Sequence, residues 1–456
     1  MDRTKQLGEA RVSQLLLKFS IPAITGMVVN ALYNVVDRIF IGQGIGRNGI
    51  AGITVAFPLM TVMMALAMLI GLGATALISI RLGEQREEDA ELILGNAMVC
   101  LIGIAVMVTT FGLIFINPLL KLFGASAAVL PYARDYLRVI LLGEIFMSIG
   151  FGMNHCIRAE GNPKVAMSTM LLGAILNTIL DPIFIFNFGW GIKGAAWATI
   201  ISQAASAVWV LAYFLRQKSH LKIHTKNLKL KLAVVREITA LGSAPFLMQM
   251  AASVIGVILN NSLIRYGGDL AISAMGIVNS IGMLFLMPIF GINQGAQPII
   301  GYNYGAEKFD RVKKTLKLAI AAATLVVLVG FAMVFLFPES LARLFSKRDP
   351  ELIAFASRAM RIFLSMLPII GFQIVGANYF QAVGKPRQSM ILSLSRQVLL
   401  LIPALLILPR FFGINGVFYA GPVSDFGSSV ITGVWLFLEM KHLDRKHGER
   451  QLARVR

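Results

Sequence analysis

Leu316 to Phe337 reads LKLAIAAATLVVLVGFAMVFLF, a run whose one charge is Lys317. The hydrocarbon core of a membrane takes roughly 20 apolar residues as a helix, against about 10 as a barrel strand. The run has the first length and lacks the alternation of the second, so it reads as one transmembrane α-helix. Val398 to Leu408 with its flanks reads the same way. A helix satisfies every backbone N–H and C=O within its own segment, as lipid requires.

The same pattern recurs about twelve times along the 456 residues. The expected spans are 14–40, 50–80, 91–116, 131–158, 164–188, 192–216, 234–264, 270–300, 314–337, 352–382, 386–411 and 414–440. With 57% hydrophobic and 14% charged residues, a soluble chain of this length would lack the polar surface it needs. The fold class expected is an all-α membrane protein, multi-pass in a plasma or bacterial inner membrane. The net charge of +19 lies in loops and at both ends rather than in a folded basic domain, which argues against nucleic acid as a partner. Cys100 and Cys156 fall in apolar stretches, so neither a disulfide framework nor a metal site is expected. The polar start up to Arg11 shows no cleavable signal pattern.

Loop charge sets the orientation. Of the 42 Lys and Arg residues, 28 fall on the side of the N-terminus and at most 14 on the other. Both termini are therefore expected in the cytoplasm.

The loops also repeat. Arg81-Leu-Gly83-Glu84 matches Asn303-Tyr-Gly305-Ala306, and Gly191-Ile-Lys-Gly194 matches Gly413-Ile-Asn-Gly416, both at an offset of 222. Arg158-Ala-Glu-Gly161-Asn-Pro163-Lys164 matches Gln381-Ala-Val-Gly384-Lys-Pro386-Arg387, and Pro22 matches Pro245, both at 223. Matching positions lie six helices apart, so the halves are parallel repeats related by a pseudo-two-fold axis along the membrane normal. Residues 1–218 are expected as an N-terminal lobe of six helices, 219–233 as a basic cytoplasmic linker, and 234–456 as a C-terminal lobe with a basic tail. A double repeat in one chain favours a transporter over a channel.

Ile21-Pro22, Asp37, Ile41-Gly42, Arg158-Ala-Glu160-Gly-Asn-Pro163, Asn177, Asp181-Pro182 and Gly194-Ala-Ala-Trp-Ala-Thr199 together resemble the MATE (multidrug and toxic compound extrusion) family over nearly the whole chain. Within it the chain looks closest to the prokaryotic MepA-like and DinF-like branches. The resemblance implies two six-helix lobes around a central cavity and antiport of lipophilic organic cations against H⁺ or Na⁺. It implies no cofactor, no enzymatic activity, and a monomer surrounded by lipid.

Acids inside a membrane are expensive, so each is a functional candidate. Asp37 shares a stripe of the first helix with Tyr33 and Asn30, and Asp181 lies one turn beyond Asn177. Their counterparts in the second half, Asn260 and Ala404, are not acidic. A purely structural pair would more naturally recur in both repeats, so the asymmetry points to an ion or proton site in the N-lobe. The resemblance carries over Tyr33, Asp37, Asn177, Asp181 and Thr199 as that cation-binding cluster, with Asp37, Asn177, Asp181 and Thr199 as oxygens for a Na⁺. The competing structural readings are an ion pair of Asp37 with Arg38 and a kink at Asp181-Pro182.

Weaker candidates for the substrate cavity are Glu144, Asn154, Gln249, Asn260 and Gln373; Asn154 reads equally as a helix–helix contact. Asp425 reads as a partner of Arg396. The NorM-like branch carries acids in its seventh and tenth helices, where this chain has Gln249 and Gln373, which argues against a C-lobe sodium site of that type. The 22 methionines suit a cavity that accepts varied shapes, although most must face lipid or neighbouring helices. The alternative function is a flippase of lipids or lipid-linked precursors on a related fold, for which Arg396 is the main support. A membrane enzyme is disfavoured, since no zinc spacing, Ser/His pairing or phosphate loop occurs.

Overall fold

The computed structural model describes residues 3–45, 47–216, 219–345 and 349–455. It is helical, with no strand among the described residues. The spanning helices are α1 (Val12–Gly44), α2 (Arg47–Gly83), α3 (Glu87–Ile114), α4 (Leu130–Leu142 and Glu144–Ala159), α5 (Pro163–Pro182, continued as a π-helical turn over Ile183–Asn187) and α6 (Gly191–Leu215). The helical rod Leu232–Gly305 breaks at Gly268 (φ 63°, ψ −161°), giving α7 over 232–267 and α8 over 269–305. Only glycine adopts that conformation without strain. The second half continues with α9 (Phe309–Leu336), α10 (Pro350–Phe363 and Leu367–Ala382), α11 (Pro386–Leu394, a π segment Ser395–Leu401, then Ile402–Phe412) and α12 (Ile414–Val455).

These twelve match the expected spans within a few residues at most ends. α12 runs to Val455, longer than hydropathy alone suggested. Its polar residues Ser424, Asp425, Ser428, Ser429 and Thr432 are all buried, which a lone helix in lipid does not achieve. Proline opens α5, α10 and α11 at the first helical position, where its missing N–H leaves no bond unmade.

Two spans expected to be continuous are broken. α4 bends by 57° at Gly143 and α10 by 50° between Phe363 and Leu367. The sequence stays apolar through both bends, so hydropathy carries no sign of them. At the first, Thr109 Oγ1 of α3 donates to the freed carbonyl of Leu141 at 2.7 Å.

The packing fixes the conformation. On the face that carries both termini, a core cluster mixes the halves: Leu77, Ile78 and Leu82 of α2 pack with Ile238 and Leu241 of α7 and with Ile299 and Tyr302 of α8. On the opposite face the clusters separate, one drawn from residues 41–200 and the other from residues 259–420. The lobes thus touch at the terminal face and part towards the other. Glycines make the contact possible. A Cβ on Gly242 would overlap the carbonyl oxygen of Leu69, and one on Gly83 would overlap that of Tyr302. Gly305, the repeat partner of Gly83, meets Ile80 O in the same way, so the paired turn motifs pack against each other across the pseudo-two-fold axis.

The linker is docked on the N-lobe. Buried Asn96 of α3 donates to the carbonyls of Asn227 and Lys229 at 3.2 and 3.3 Å and accepts from Lys231 N at 2.7 Å. Glu160, just past α4, accepts from Tyr213 Oη, from Ser219 Oγ at 2.7 Å and from Leu221 N at 3.2 Å. Burial pushes the Glu160 carboxyl up to about 7 from 4.5, against the pull of the Ser219 and Leu221 bonds. A carboxyl raised in the folded state binds its proton more tightly there than in the undocked chain. Docking of the linker is therefore firmest below about pH 4.5 and weakens as the pH climbs to about 7. Hydrogen exchange of residues 219–231 should speed up across that window, and Glu160→Gln should flatten the dependence.

Candidate functional site

The N-lobe cluster forms where α1, α5 and α6 meet. Asn177 and Asp181 lie one turn apart on α5 and are buried, as is Thr199 on α6. Asn177 Nδ2 donates to Asp181 Oδ1 and to Thr199 Oγ1, both at 3.4 Å. Thr199 Oγ1 in turn donates to Ala195 O at 3.0 Å, which fixes its rotamer. Asp37 and Tyr33 approach from α1: the Asp37 carboxyl stands within hydrogen-bonding reach of Asp181, and the Tyr33 phenol lies near both acids. The structure therefore brings together all five residues expected there. The Arg38 side chain, the competing partner for Asp37, lies outside the described residues.

Two carboxylates that share a water-poor site repel unless a proton or cation lies between them. Asp181 Oδ2 and Asn177 Oδ1 are buried with no described hydrogen-bond partner, and buried oxygens of this kind are satisfied by a proton, a water or a cation. No group of three or more His, Cys, Asp or Glu side chains placed to hold a metal ion is present among the described residues; the polar atoms that Asp181, Asn177 and Thr199 offer a cation are hard oxygens.

The weaker candidates scatter. Asn154 donates to Ala166 O at 2.9 Å and Gln373 to Leu392 O at 3.4 Å, so both tie neighbouring helices together. Asn260 is exposed and Gln249 half-buried on α7. Glu144 is fully buried and accepts from Ser148 Oγ at 2.8 Å. Asp425 pairs with Arg396 Nε at 2.6 Å, as read from the sequence. This pair balances the guanidinium charge that a phosphate-bearing cargo would call on. Arg396 sits in the π segment of α11, where the wider turn presents it towards α12.

Removing one partner of a buried ion pair strands the other charge. Asp425→Leu or Arg396→Leu alone should lower stability by roughly 3 kcal/mol, and the double replacement should recover most of the loss. Thermal unfolding of the detergent-solubilised variants checks this.

Sequence reasoning missed three polar contacts. Asn96 and Glu160 hold the linker, and Lys385 Nζ meets Glu439 Oε2 at 2.5 Å between the α10–α11 turn and α12. A buried asparagine inside the apolar run of α3 was the available signal for the first. Glu160 reads in the sequence as part of a turn motif, and its burial depends on how the linker folds back.

The MatE family model matches the chain twice, over residues 22–183 and 245–406, two ranges that are 223 residues apart at both ends. The chain is 28% identical over 412 residues to "Multidrug export protein MepA" of Staphylococcus haemolyticus (strain JCSC1435), covering 90% of each protein. Among solved structures it is similar to the MATE multidrug transporter DinF-BH, at 44% identity and a TM-score of 0.87, covering 93% of this chain and 95% of that one. It is also similar to an outward-facing multidrug resistance MATE family transporter of the MOP superfamily, at 26% identity and a TM-score of 0.90, covering 96% and 98%.

Proposed function

The chain belongs to the MatE family, and from that membership we propose that it exports lipophilic organic cations in exchange for protons. It is a multi-pass membrane transporter rather than an enzyme. Loop charge supports placing both termini, the linker and the closed face in the cytoplasm. The cleft then opens outward. The single chain encloses both lobes, which supports action as a monomer in lipid.

The observation that carries the reading is the Asp37–Asp181 contact, whose repulsion a shared proton relieves with no further ligand. Protonation from outside takes the pair from two negative charges to one and relieves the repulsion, and export of a cation follows as the lobes reverse and the proton leaves inward. An ion drives such a cycle only by binding the two conformations with different affinity. Asn177 and Thr199 hold Asp181 in place, and Tyr33 borders both acids. A second reading, exchange against Na⁺, draws support from the oxygens Asn177 Oδ1 and Asp181 Oδ2, which have no described hydrogen-bond partner. No cofactor is required in either.

Proteoliposomes loaded with a fluorescent organic cation separate the two. A pH gradient imposed without Na⁺ should drive dye movement, and a Na⁺ gradient at equal pH should not. Movement driven by Na⁺ alone would replace the proton by sodium, and movement driven by neither would remove coupled export.

A further inference from the structure

The two bent spans invite comparison, because the backbone device recurs and one side chain does not. Glu144 is the first residue after the bend in α4, and its counterpart at an offset of 223 is Leu367, the first residue after the bend in α10. Both are buried, at 0% and 1% exposure. The leucine shows that the bend needs no carboxyl.

Glu144 is also isolated from compensating charge. Its Oε2 is buried with no described partner, and no ion pair among the described residues includes it. On its own helix, Arg134 and Arg138 are exposed, Asp135 pairs with Lys193 of α6, and His155 and Arg158 lie at the far end. The other helices packed on this segment carry charge mainly at their ends: Arg81 on α2, Glu87, Glu88, Asp89 and Glu91 on α3, Lys164 on α5, and Arg236, Glu237, Arg265 and Asp269 on the α7–α8 rod. The exception within the bilayer is Asp181. The helix N-terminus offers Glu144 some relief, but Leu367 occupies the same position without a charge.

The bend also packs on α6, the helix that carries Thr199 of the coupling cluster. A Cβ on Gly143 would crowd the side chain of Ile200, and the preceding residue, Thr199, accepts from Asn177. We propose that Glu144 is a second proton-carrying carboxyl of the transport cycle, a separate station in the same lobe as the Asp37–Asp181 pair. The step is a proton transfer: the carboxylate takes a proton from water to form an O–H bond and later returns it to water, with no electron moved. Ser148, donating to Oε1, holds the carboxyl so that Oε2 receives the proton. This rests on the proton-exchange reading above.

The test compares Glu144→Leu, Glu144→Gln and Glu144→Asp in proteoliposomes, with thermal unfolding as the structural control. Leu copies the other lobe and should fold, and Gln keeps the shape should Leu fail. The Leu and Gln variants should lose roughly 5–150-fold in export driven by a pH gradient, with fewer protons moved per dye, and Asp should restore part of both. Wild-type proton-to-dye ratios and pH profiles in the Leu or Gln variant would overturn the inference. If Asp181→Asn uncouples export while these variants do not, the Glu144 inference falls alone. If Asp181→Asn is also without effect, the proton-exchange reading falls with it.

Discussion

Asp181→Asn should leave the protein folded and inserted yet cut gradient-driven export by roughly 5–150-fold, the span of a coupling free energy of 1–3 kcal/mol. The side chain keeps its shape, so the packing of α5 on α6 is little disturbed. What is lost is the acid that shares a site with Asp37. An amide cannot release a proton, and Asp37 loses the neighbouring charge whose repulsion makes it take up a proton, so the charge change that couples the two conformations is weakened. Asp37→Asn should behave alike, and the double variant should be no worse than either single one, because the two acids act as a unit. Dye efflux from whole cells, normalised to protein in the membrane, measures all three. Additive losses would mean that the acids work separately.

The second large effect concerns the closed face. Gly242→Val places a side chain where the Leu69 carbonyl already lies, and both atoms belong to helix backbones that cannot rotate away. Overpacking of this kind costs about 1–3 kcal/mol, and here the strain is relieved when the lobes part. The variant should shift the conformational equilibrium constant by roughly 5–150-fold away from the outward-open arrangement. Spin labels at Glu88 and Lys314, exposed on the two lobes at this face, should report a longer distance in the variant. Gly103, with nothing within 4 Å of an added Cβ, provides the control: Gly103→Ala should leave the distance unchanged.

How much was legible in the sequence follows from what each feature depends on. The spans of α3 and α9 were legible because lipid imposes length and hydropathy on each helix separately. The repeat was legible because turns need glycine and proline, as at Gly83 and Gly305. The bend at Gly143 was not, because it arises from packing between α3, α4 and α6 and leaves the local sequence apolar. The seal at Gly242 was hidden for the same reason: a glycine in a helix signals a close approach without naming the partner. The docked linker read as a basic loop, since its fastening comes from Asn96 and Glu160, far away in sequence. For the cluster, periodicity placed Asn177 with Asp181 and Tyr33 with Asp37. Joining the two helices, and adding Thr199, needed the family resemblance.

The central claim is that the N-lobe acids exchange protons for substrate. Proton release on substrate binding tests it most directly: the purified protein in weakly buffered detergent solution, a pH indicator, and stepwise addition of an organic cation. Wild type should release protons in proportion to the cation bound, and Asp181→Asn should bind the cation with little or no release. Equal release from both proteins, or none from wild type while it binds the cation, would contradict the account.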